Sequence, residues 1–449
     1  MHSAKLTIAI FKKSILFVFV IFTCSFASAQ ENAPYSRFGI GDLAPTQNIV
    51  SRSMGGITTG FIDVAGFATI NLTNPAALGS LNSTLFDFAF EIDKRTLKNS
   101  NTVGKFSSNN TTISYLQLGF PITPKKMLKK GNYWGVAFGL KPVSKINYKV
   151  LEDKRIIGID SLSTLYEGTG GINQANISTG VKIKNFSFGL STGYSFGNRD
   201  ISTKKEFVND SIFTYHKSNS QTQSNFGGLF LTLGALYDIK LKNNNLIRIG
   251  ASANLKQKLK GKKDKISETI FYANDGTVIS WDIIDSIKNL AGNVQVPASY
   301  SAGFTYTNPH WVVGADIDYA AWKNYTYFGA TDALQNTMKL HIGGQYYPAT
   351  ATTTAKKYWR FVKYRAGFYY GNDYVKLGNN RPDYGFTLGA GLPLTSFQRL
   401  RFGEFVTLNT GIEIGQKGNK QITGLKEGIF KVNFGISMSA AWFQKRKYD

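Results

Sequence analysis

The sequence predicts an all-β fold: a 14-stranded antiparallel transmembrane β-barrel with an N-terminal plug, or hatch, in its lumen. Three observations predict it. Several segments alternate bulky apolar residues with Gly and Ser, an N-terminal leader is typical of export, and no later segment is long and apolar enough to cross a bilayer as a helix. Since only helices and closed barrels satisfy their backbone inside lipid, we expect a barrel in the outer membrane of a Gram-negative cell.

The clearest alternation lies at residues 184–196. One face is bulky and apolar: Phe186, Phe188, Leu190, Tyr194 and Phe196. The other face is small: Ser187, Gly189, Ser191, Gly193 and Ser195. Successive side chains of a strand point to opposite sides, and a Gly and Ser face suits a crowded, hydrated lumen. The same pattern returns at residues 430–442. We therefore assign the bulky face to lipid and the small face to the lumen.

Residues 1–29 have the features of a signal peptide, with a basic start, an apolar run and an Ala-Ser-Ala cleavage site just before Gln30. The only cysteine, Cys24, lies in this leader. A lipoprotein is the alternative interpretation, but the residues before Cys24 form a poor lipobox. The mature chain then has no thiol for a disulfide or a metal site.

Residues 30–83 are small and polar and do not alternate, so we expect them to form the plug. The barrel follows at residues 84–443, and residues 444–449 form a basic periplasmic tail. Strands are predicted at 84–94, 110–121, 132–150, 168–183, 185–203, 221–240, 245–260, 295–307, 310–322, 337–347, 358–371, 384–395, 404–415 and 428–443. The even count, with short turns alternating with longer loops such as 261–294, predicts that both termini are periplasmic.

The net charge is +24, with lysines clustered at residues 125–130 and 256–265. Such clusters attract anionic lipid headgroups or a polyanionic partner; the alternative is a solvated loop with an interfacial collar of lysines. Nucleic-acid binding is not expected of a secreted barrel. No His-Glu-x-x-His motif occurs. The Gly-x-Ser-x-Gly spacing occurs at residues 189–193 and 193–197, but both copies lie inside one alternating strand and not at the strand-to-helix turn that a nucleophile elbow needs. We therefore expect no enzymatic activity, no metal and no cofactor.

Charged residues also fall on the face predicted to point inward. The candidates are Asp87, Glu91, Asp316, Asp318, Lys363 and Arg365. A buried charge is costly unless it is paired, so we expect these groups to pair with each other, with Arg37, Arg52 and Asp63 of the plug, or with water. Two interpretations stay open: a path for a solute, or a scaffold that holds the plug against the wall.

Pro142 interrupts the third predicted strand, shortly after Gly139. Proline cannot donate to a β-ladder and marks a bulge, a rim or a break. At membrane depth such a break opens a hole in the wall; at the rim it marks only the exit of the strand.

The segment Ser51–Gly56, which contains Arg52, Gly55 and Gly56, and the later motif Asn74-Pro75-Ala76 resemble the hatch of the FadL-type outer-membrane proteins. The resemblance implies passive uptake of hydrophobic solutes such as long-chain fatty acids, with a hatch that shifts. It also implies a lateral exit where the third strand is kinked, and we assign this kink to Gly139 and Pro142. One departure is Phe61-Ile62-Asp63-Val64, where better-known members carry adjacent acidic residues.

Passive uptake of a hydrophobic solute is therefore the predicted function. The alternative is a non-transporting accessory subunit of an outer-membrane assembly or secretion complex, the role in which PorV-like barrels use the FadL-like fold. The expected partners are therefore membrane lipids with either a hydrophobic small molecule or other proteins. The segment Ala33–Gly39 either reaches toward such a protein or begins the plug. A transporter needs a continuous apolar pocket from the outer loops to the hatch, whereas the lumen of a subunit can be filled.

Overall fold

The structure is a computed structural model that describes residues 32–63, 69–99, 104–208, 215–349, 357–395 and 405–440. The predicted signal peptide, with Cys24, and the predicted basic tail at 444–449 lie outside the described residues.

The described part of the chain is dominated by β-strands. In chain order they are β1 (Asp42–Leu43), β2 (Thr84–Asn99), β3 (Lys105–Pro121), β4 (Tyr133–Ile156), β5 (Asp160–Ile183), β6 (Phe186–Phe207), β7 (Lys217–Lys240), β8 (Leu246–Asn254), β9 (Gln257–Tyr272), β10 (Val278–Val296), β11 (Ser299–Thr307), β12 (Trp311–Ala320), β13 (Thr326–Tyr327), β14 (Thr337–Tyr346), β15 (Lys363–Asn372), β16 (Pro382–Pro393), β17 (Phe405–Lys417) and β18 (Leu425–Ala440).

Helices are few and short. They are α1 (Ile49–Arg52), α2 (Lys125–Leu128) and α3 (Lys420–Thr423), with 3-10 turns at Pro34–Arg37, Pro75–Ser80, Trp322–Asn324 and Tyr358–Phe361. Across the described ranges, no helix is long and apolar enough to span a membrane.

The sheet closes on itself. β18 pairs antiparallel with β2, from Leu425 opposite Asn99 to Ala440 opposite Thr84. β8 with β9, and β10 with β11, each act as one wall strand with a short break, whereas β1 and β13 pair with wall strands over only two residues each. The result is a closed barrel of fourteen antiparallel strands, which confirms the predicted fold class. Each predicted strand coincides with one wall strand.

The two ends of the barrel differ. We call the end where β2 begins and β18 ends the turn end, and the opposite end the loop end. β4, β5 and β7 are 24 residues long each, although about 9–11 tilted residues suffice to cross a bilayer. Their hairpins therefore project well past the membrane at the loop end.

The segment 261–294, predicted to be a loop, is instead the long β9–β10 hairpin, so that prediction is wrong. The Ala273 N–H donates to the Thr277 carbonyl at 2.9 Å, and Gly276 has a φ of +82°. Asp-Gly between apolar residues is a strong hairpin signal. The lysines that precede it obscured the alternation of residues 266–272.

The start of the described chain lies toward the loop end, because it completes the edge of β4. The Ala33 N–H donates to the Asn147 carbonyl at 2.9 Å, and the Asn32 side chain donates to the Lys149 carbonyl at 2.8 Å. A strand edge without partners would leave backbone groups unsatisfied. β18 ends at the turn end, so Asn32 and Ala440 lie toward opposite ends of the barrel. The periplasmic location of the two termini stays a prediction.

The register of the wall follows the predicted alternation. On β6, the outward-facing Phe188 is 58% exposed, while its neighbour Ser187 is 2% exposed. Ser187 lies opposite Lys182 and Leu236 on the adjacent strands. The bulky face therefore points away from the interior, where lipid would contact it.

Replacing Phe188 with Arg should destabilise the inserted barrel by about 1–2 kcal/mol, because it puts a charge on the lipid face two residues into β6, between the interface and the midplane. The yield of folded barrel in outer-membrane fractions, scored by heat-modifiable gel mobility, measures the effect. Ser187→Ala is the matched control on the opposite face and should insert as wild type does. Equal insertion of Phe188→Arg would show that the facing is misassigned.

Candidate functional site

The N-terminal segment, described at residues 32–63 and 69–81, contacts the wall from inside the barrel. Its first part, residues 32–44, runs beside β4: Asp42 pairs with Lys145 and Leu43 pairs with Ser144. The segment then turns into the barrel at α1, where the Asn48 side chain caps the helix by accepting from the Ser51 N–H at 2.9 Å. Asn is a favoured N-cap because it satisfies such an orphan donor.

Glycines on the wall make room for this segment. A Cβ on Gly343 or Gly367 would overlap the Met54 and Gly55 backbone. Gly55 and Gly56 themselves have φ of +71° and +100°, which favours glycine. The predicted hatch residues Gly55 and Gly56 thus make the turn that brings the backbone against the wall.

The Asn-Pro-Ala motif fits a second group of wall glycines. Asn74 is fully buried, and its Nδ2 donates to the Thr59 carbonyl at 2.7 Å and the Ala235 carbonyl at 3.3 Å. Its Oδ1 accepts from the Ala76 N–H at 3.2 Å, which caps the 3-10 turn opened by Pro75. A Cβ on Gly189 would overlap the backbone of Pro75 and Ala76. The small face of β6 is therefore a docking face for the motif.

Replacing Gly189 with Ala should cost about 1–3 kcal/mol, because the new methyl group overpacks against a backbone that has no room to move. Limited proteolysis near residues 74–81 and the urea midpoint of the purified barrel measure it. Gly428→Ala on β18 is the control, since its Cβ would meet nothing closer than the Thr96 carbonyl at 3.7 Å. Equal protease resistance of the two variants would contradict the docking role.

Arg52 is the centre of a buried ion cluster. Its Nη2 lies 2.7 Å from Glu91 Oε2 on β2 and 3.4 Å from Glu413 Oε2 on β17. Lys431 on β18 lies 3.7 Å from Glu91 Oε1. The Arg52 side chain is 5% exposed. Charge-assisted hydrogen bonds therefore hold α1 to β2 and β17, the two strands that flank β18.

Three more of the predicted lumen charges contact the segment. Lys363 Nζ donates to the two Asp63 carboxylate oxygens at 2.6 and 2.7 Å. Asp316 Oδ2 accepts from the backbone N–H groups of Thr58 and Thr59, both at 2.6 Å. Asp318 reaches the segment only through the His341 side chain.

His341 joins Asp318 to the hatch turn. Its Nε2 lies 3.2 Å from Asp318 Oδ2, and its Nδ1 lies 2.6 Å from the Gly55 carbonyl. Its ring therefore ties β14 and β12 to the N-terminal segment at one point.

The other two predicted charges bond mainly within the wall. Arg365 donates to Gln345 at 2.8 Å and to Asn409 at 3.0 Å. Asp87 accepts from the Ser437 hydroxyl at 3.1 Å and also from the backbone N–H of Ile70 in the N-terminal segment. Five of the six candidates, Asp87, Glu91, Asp316, Asp318 and Lys363, thus reach the N-terminal segment directly or through His341.

A second ion cluster was missed by the sequence analysis, because the first strand was predicted to end at residue 94. Arg95 pairs with Asp42 of β1, and Lys417 Nζ lies 3.3 Å from Asp42 Oδ1. Burial alone would raise the pKa of the Asp42 carboxyl, but Arg95 and Lys417 lower this pKa well below its usual range. Asp42 is therefore ionised and fixes β1 beside β2 and β17.

The wall has a gap between β3 and β4. The two strands pair only from Pro121 opposite Gly135 to Leu116 opposite Leu140. Toward the loop end, no strand of the described part pairs with the residues of β3 from Lys105 to Tyr115 on that side. The edge of β4 is instead bonded to residues 32–44.

The predicted kink residues lie at the start of this gap. The ladder between β4 and β5 shifts register between Pro142 and Ser144, two residues past the last pair with β3. A Cβ on Gly139 would lie 2.9 Å from Leu72 Cδ1 of the N-terminal segment, so Gly139 lets that segment approach. Lys145 Nζ donates across the gap to Asn110 Oδ1 on β3 at 2.9 Å.

Two cavities of the described residues have linings in which charged and apolar side chains are mixed. The one at the gap has a volume of about 500 Å³, and its lining includes Glu91, Asp93, Arg95, Lys145 and Lys431. Another of about 280 Å³ includes Arg52, Asp318, His341, Glu413 and Lys417 together with Tyr300 and Trp322. Pockets for hydrophobic ligands have few polar groups, so the charged side chains in these two linings disfavour such a ligand.

Apolar side chains at the loop end pack into one buried cluster. Tyr325, Tyr374 and Ile40 are 2–3% exposed and belong to this cluster with Trp322. The Tyr325 hydroxyl donates to the Gly39 carbonyl at 3.0 Å, and the Trp322 and Tyr374 rings are 4.8 Å apart. The cluster therefore joins the N-terminal segment to the loop-end part of the wall.

Solved structures with the same fold are hydrocarbon channels and transporters. The Pseudomonas putida toluene transporter TodX aligns with a TM-score of 0.54 at 17% identity, over 90% of this chain and 100% of that one. A Pseudomonas aeruginosa FadL homologue gives 0.56 at 14%, over 90% and 100%. The CymD monoaromatic hydrocarbon channel gives 0.53 at 14%, over 91% and 100%. These likenesses establish a FadL-type outer-membrane β-barrel fold.

Sequence comparison adds one finding. No curated protein matches the chain significantly. A family model described as BamG matches residues 10–449, which is nearly the whole chain.

Proposed function

The chain belongs to the BamG family, and we propose that it works as a non-transporting accessory subunit of an outer-membrane assembly or secretion complex. The supporting observation is the interior, in which no cavity of the described residues has a mainly uncharged apolar lining at the gap or beside the hatch. Apolar groups at the loop end pack into one cluster, and the cavities of about 500 and 280 Å³ each have several charged side chains in their linings. A hydrophobic solute there would strip these charges of water without replacing their hydrogen bonds, at a cost of several kcal/mol.

The contacts of the N-terminal segment support the same proposal. Arg52, Thr58, Asp63 and Asn74 are buried and bonded to five different wall strands: β2, β17, β12, β15 and β7. A hatch that shifts during each passage has to break such bonds and remake them. In a subunit, the same bonds give a rigid barrel whose outer surfaces serve protein partners.

The test is purification of the native protein in mild detergent, with chemical cross-linking and quantitative mass spectrometry. We expect partner proteins in fixed stoichiometry, and we expect depletion of the protein to change the set of proteins at the cell surface. A second measurement uses vesicles: uptake of a labelled long-chain fatty acid should be no faster than into empty vesicles. A barrel that purifies alone and speeds uptake would contradict the proposal.

One observation favours a second candidate, passive uptake of hydrophobic solutes. The gap between β3 and β4 begins beside Gly139 and Pro142 and leads sideways, and residues 32–44 cover the exposed edge of β4. Movement of that segment would open a lateral exit to the membrane.

A disulfide separates the two candidates. Leu43 and Ser144 face each other, and the Ala44 N–H donates to the Val143 carbonyl at 2.9 Å. This makes them a non-hydrogen-bonded pair, whose Cα atoms lie about 4.5 Å apart, within the range for a disulfide. The mature chain has no other cysteine. Leu43→Cys with Ser144→Cys should abolish uptake when oxidised, and restore it on reduction, only if the segment gates an exit; each single Cys variant is the control.

A further inference from the structure

One edge of the β9–β10 hairpin has no partner. β10 pairs with β9 along its whole length, from Val278 opposite Tyr272 to Val296 opposite Gln257. On its other side it pairs with β13 only at Val294 and Gln295. Within the described ranges, no strand pairs with that side between residues 278 and 291. The backbone donors and acceptors of this edge are therefore available to an added strand.

The side chains along this edge are apolar and exposed. All residues from 278 to 291 are exposed. The large apolar ones are Val278, Ile279, Trp281, Ile283, Ile284, Ile287 and Leu290. Trp281 and Ile284 are each 68% exposed. Natural proteins normally protect such edges, because a long apolar edge recruits other strands.

Lipid does not account for these side chains. β11, which continues the same wall strand toward the turn end, is nine residues long, about the length that crosses the apolar part of a bilayer. Residues 278–291 precede β11 by a further stretch of β10. They therefore stand beyond the membrane on the loop-end side.

We propose that the β10 edge, residues 278–291, binds a short extended segment of a partner protein by strand addition. In this mode backbone hydrogen bonds give affinity and side-chain contacts give specificity. Asp282 and Asp285 are the two carboxylates of the edge, so a segment that alternates apolar and basic residues complements it. The inference rests on the proposed subunit function and names the surface and the chemistry of its partner.

Three β-bulges in β10 limit the length of the partner strand that can be added to its edge. The pairing of β10 with β9 shifts register at three places, between Ser280 and Asp282, between Ile283 and Asp285, and between Ile287 and Leu290. Each bulge increases the local twist and bends the strand. An open-ended sheet is disfavoured by this bending, and a short segment is favoured.

A second copy of this chain fits the edge poorly. If two copies pair antiparallel around Ile283 and Ile284, Asp282 of each copy lies directly opposite Asp285 of the other, and like charges in directly opposed positions destabilise a sheet. Pairing around Ser286 and Ile287 would place Asp285 opposite Lys288, but Lys288 lies in the bulge between Ile287 and Leu290, where the strand bends. Neither register suits a second copy, so the occupant that we propose is a different chain.

Photo-crosslinking in intact cells tests the proposal. A benzophenone amino acid replaces Trp281 or, separately, Ile284, and the control replaces Ile157, which is 95% exposed at the tip of the β4–β5 hairpin. We expect positions 281 and 284 to crosslink to one segment of one partner, with basic and apolar residues in alternation, and position 157 not to. Crosslinks to a second copy, to lipid or to nothing would overturn the proposal.

Charge variants provide an independent readout. Trp281→Lys and Ile284→Lys should reduce the recovery of the crosslinked partner, and the affinity of a synthetic peptide alternating Val and Lys, by about ten-fold or more, because like charges then face each other. Ile157→Lys should change neither, and all three variants should retain heat-modifiable mobility. If the variants form intact barrels and recover as much of the crosslinked partner as the wild type does, the β10 edge is not the docking site, and the proposed subunit function still stands. If the wild type has no stoichiometric partner, the docking site and the subunit function are both refuted.

Discussion

Replacing Arg52 with Met should lower the free energy of unfolding by about 3–5 kcal/mol, the cost of breaking a buried ion pair by removing one partner. Arg52 is the cation nearest to Glu91 and also pairs with Glu413, at 2.7 and 3.4 Å, and its side chain is 5% exposed. Without it, Lys431 at 3.7 Å is left to balance Glu91. Urea unfolding of the purified barrel, followed by tryptophan fluorescence, measures the loss.

Two controls accompany this variant. Lys149→Ala removes an ion pair with Glu167 at 3.0 Å, in which the lysine side chain is 59% exposed, and such exposed pairs contribute at most about 1 kcal/mol. Arg52→Lys keeps the charge and should recover part of the loss. If Arg52→Met and Lys149→Ala unfold alike, the Arg52 cluster does not hold the N-terminal segment in place.

The number of wall strands could be predicted from the sequence because each strand alternates between lipid and lumen. Neighbouring residues of a strand face either lipid or lumen, as Phe188 and Ser187 do. The period of two can therefore be recognised in the sequence without knowing which strands pair. The inward position of Glu91 and Lys363 follows from the same period. Their partners Arg52 and Asp63 were among the plug residues expected to pair with lumen charges, although the period does not say which charge meets which.

The gap in the wall could be predicted only in part. Pro142 marked an irregular strand, but the end of the ladder at Leu116 and Leu140 depends on pairing between strands. The cover supplied by residues 32–44 depends on contacts that are distant in sequence. Local sequence carries no record of such contacts.

The loop-end position of Asn32 could not be predicted for a related reason. The number of strands constrains only the strands of the wall. A segment that is not a wall strand is free to run along the interior, where the edge of β4 binds it.

Breaking the Asp63–Lys363 pair should be comparably costly. Lys363 Nζ contacts both Asp63 oxygens at 2.6 and 2.7 Å, and both side chains are at most 2% exposed. Lys363→Met or Asp63→Asn alone should each destabilise by about 3–5 kcal/mol, since either change removes the nearest opposite charge from a buried group. The double variant leaves neither charge behind, so its loss should be smaller than the sum of the single losses by about 2 kcal/mol or more. Urea unfolding of the four proteins measures this coupling; additive losses would show that the pair does not act as a unit.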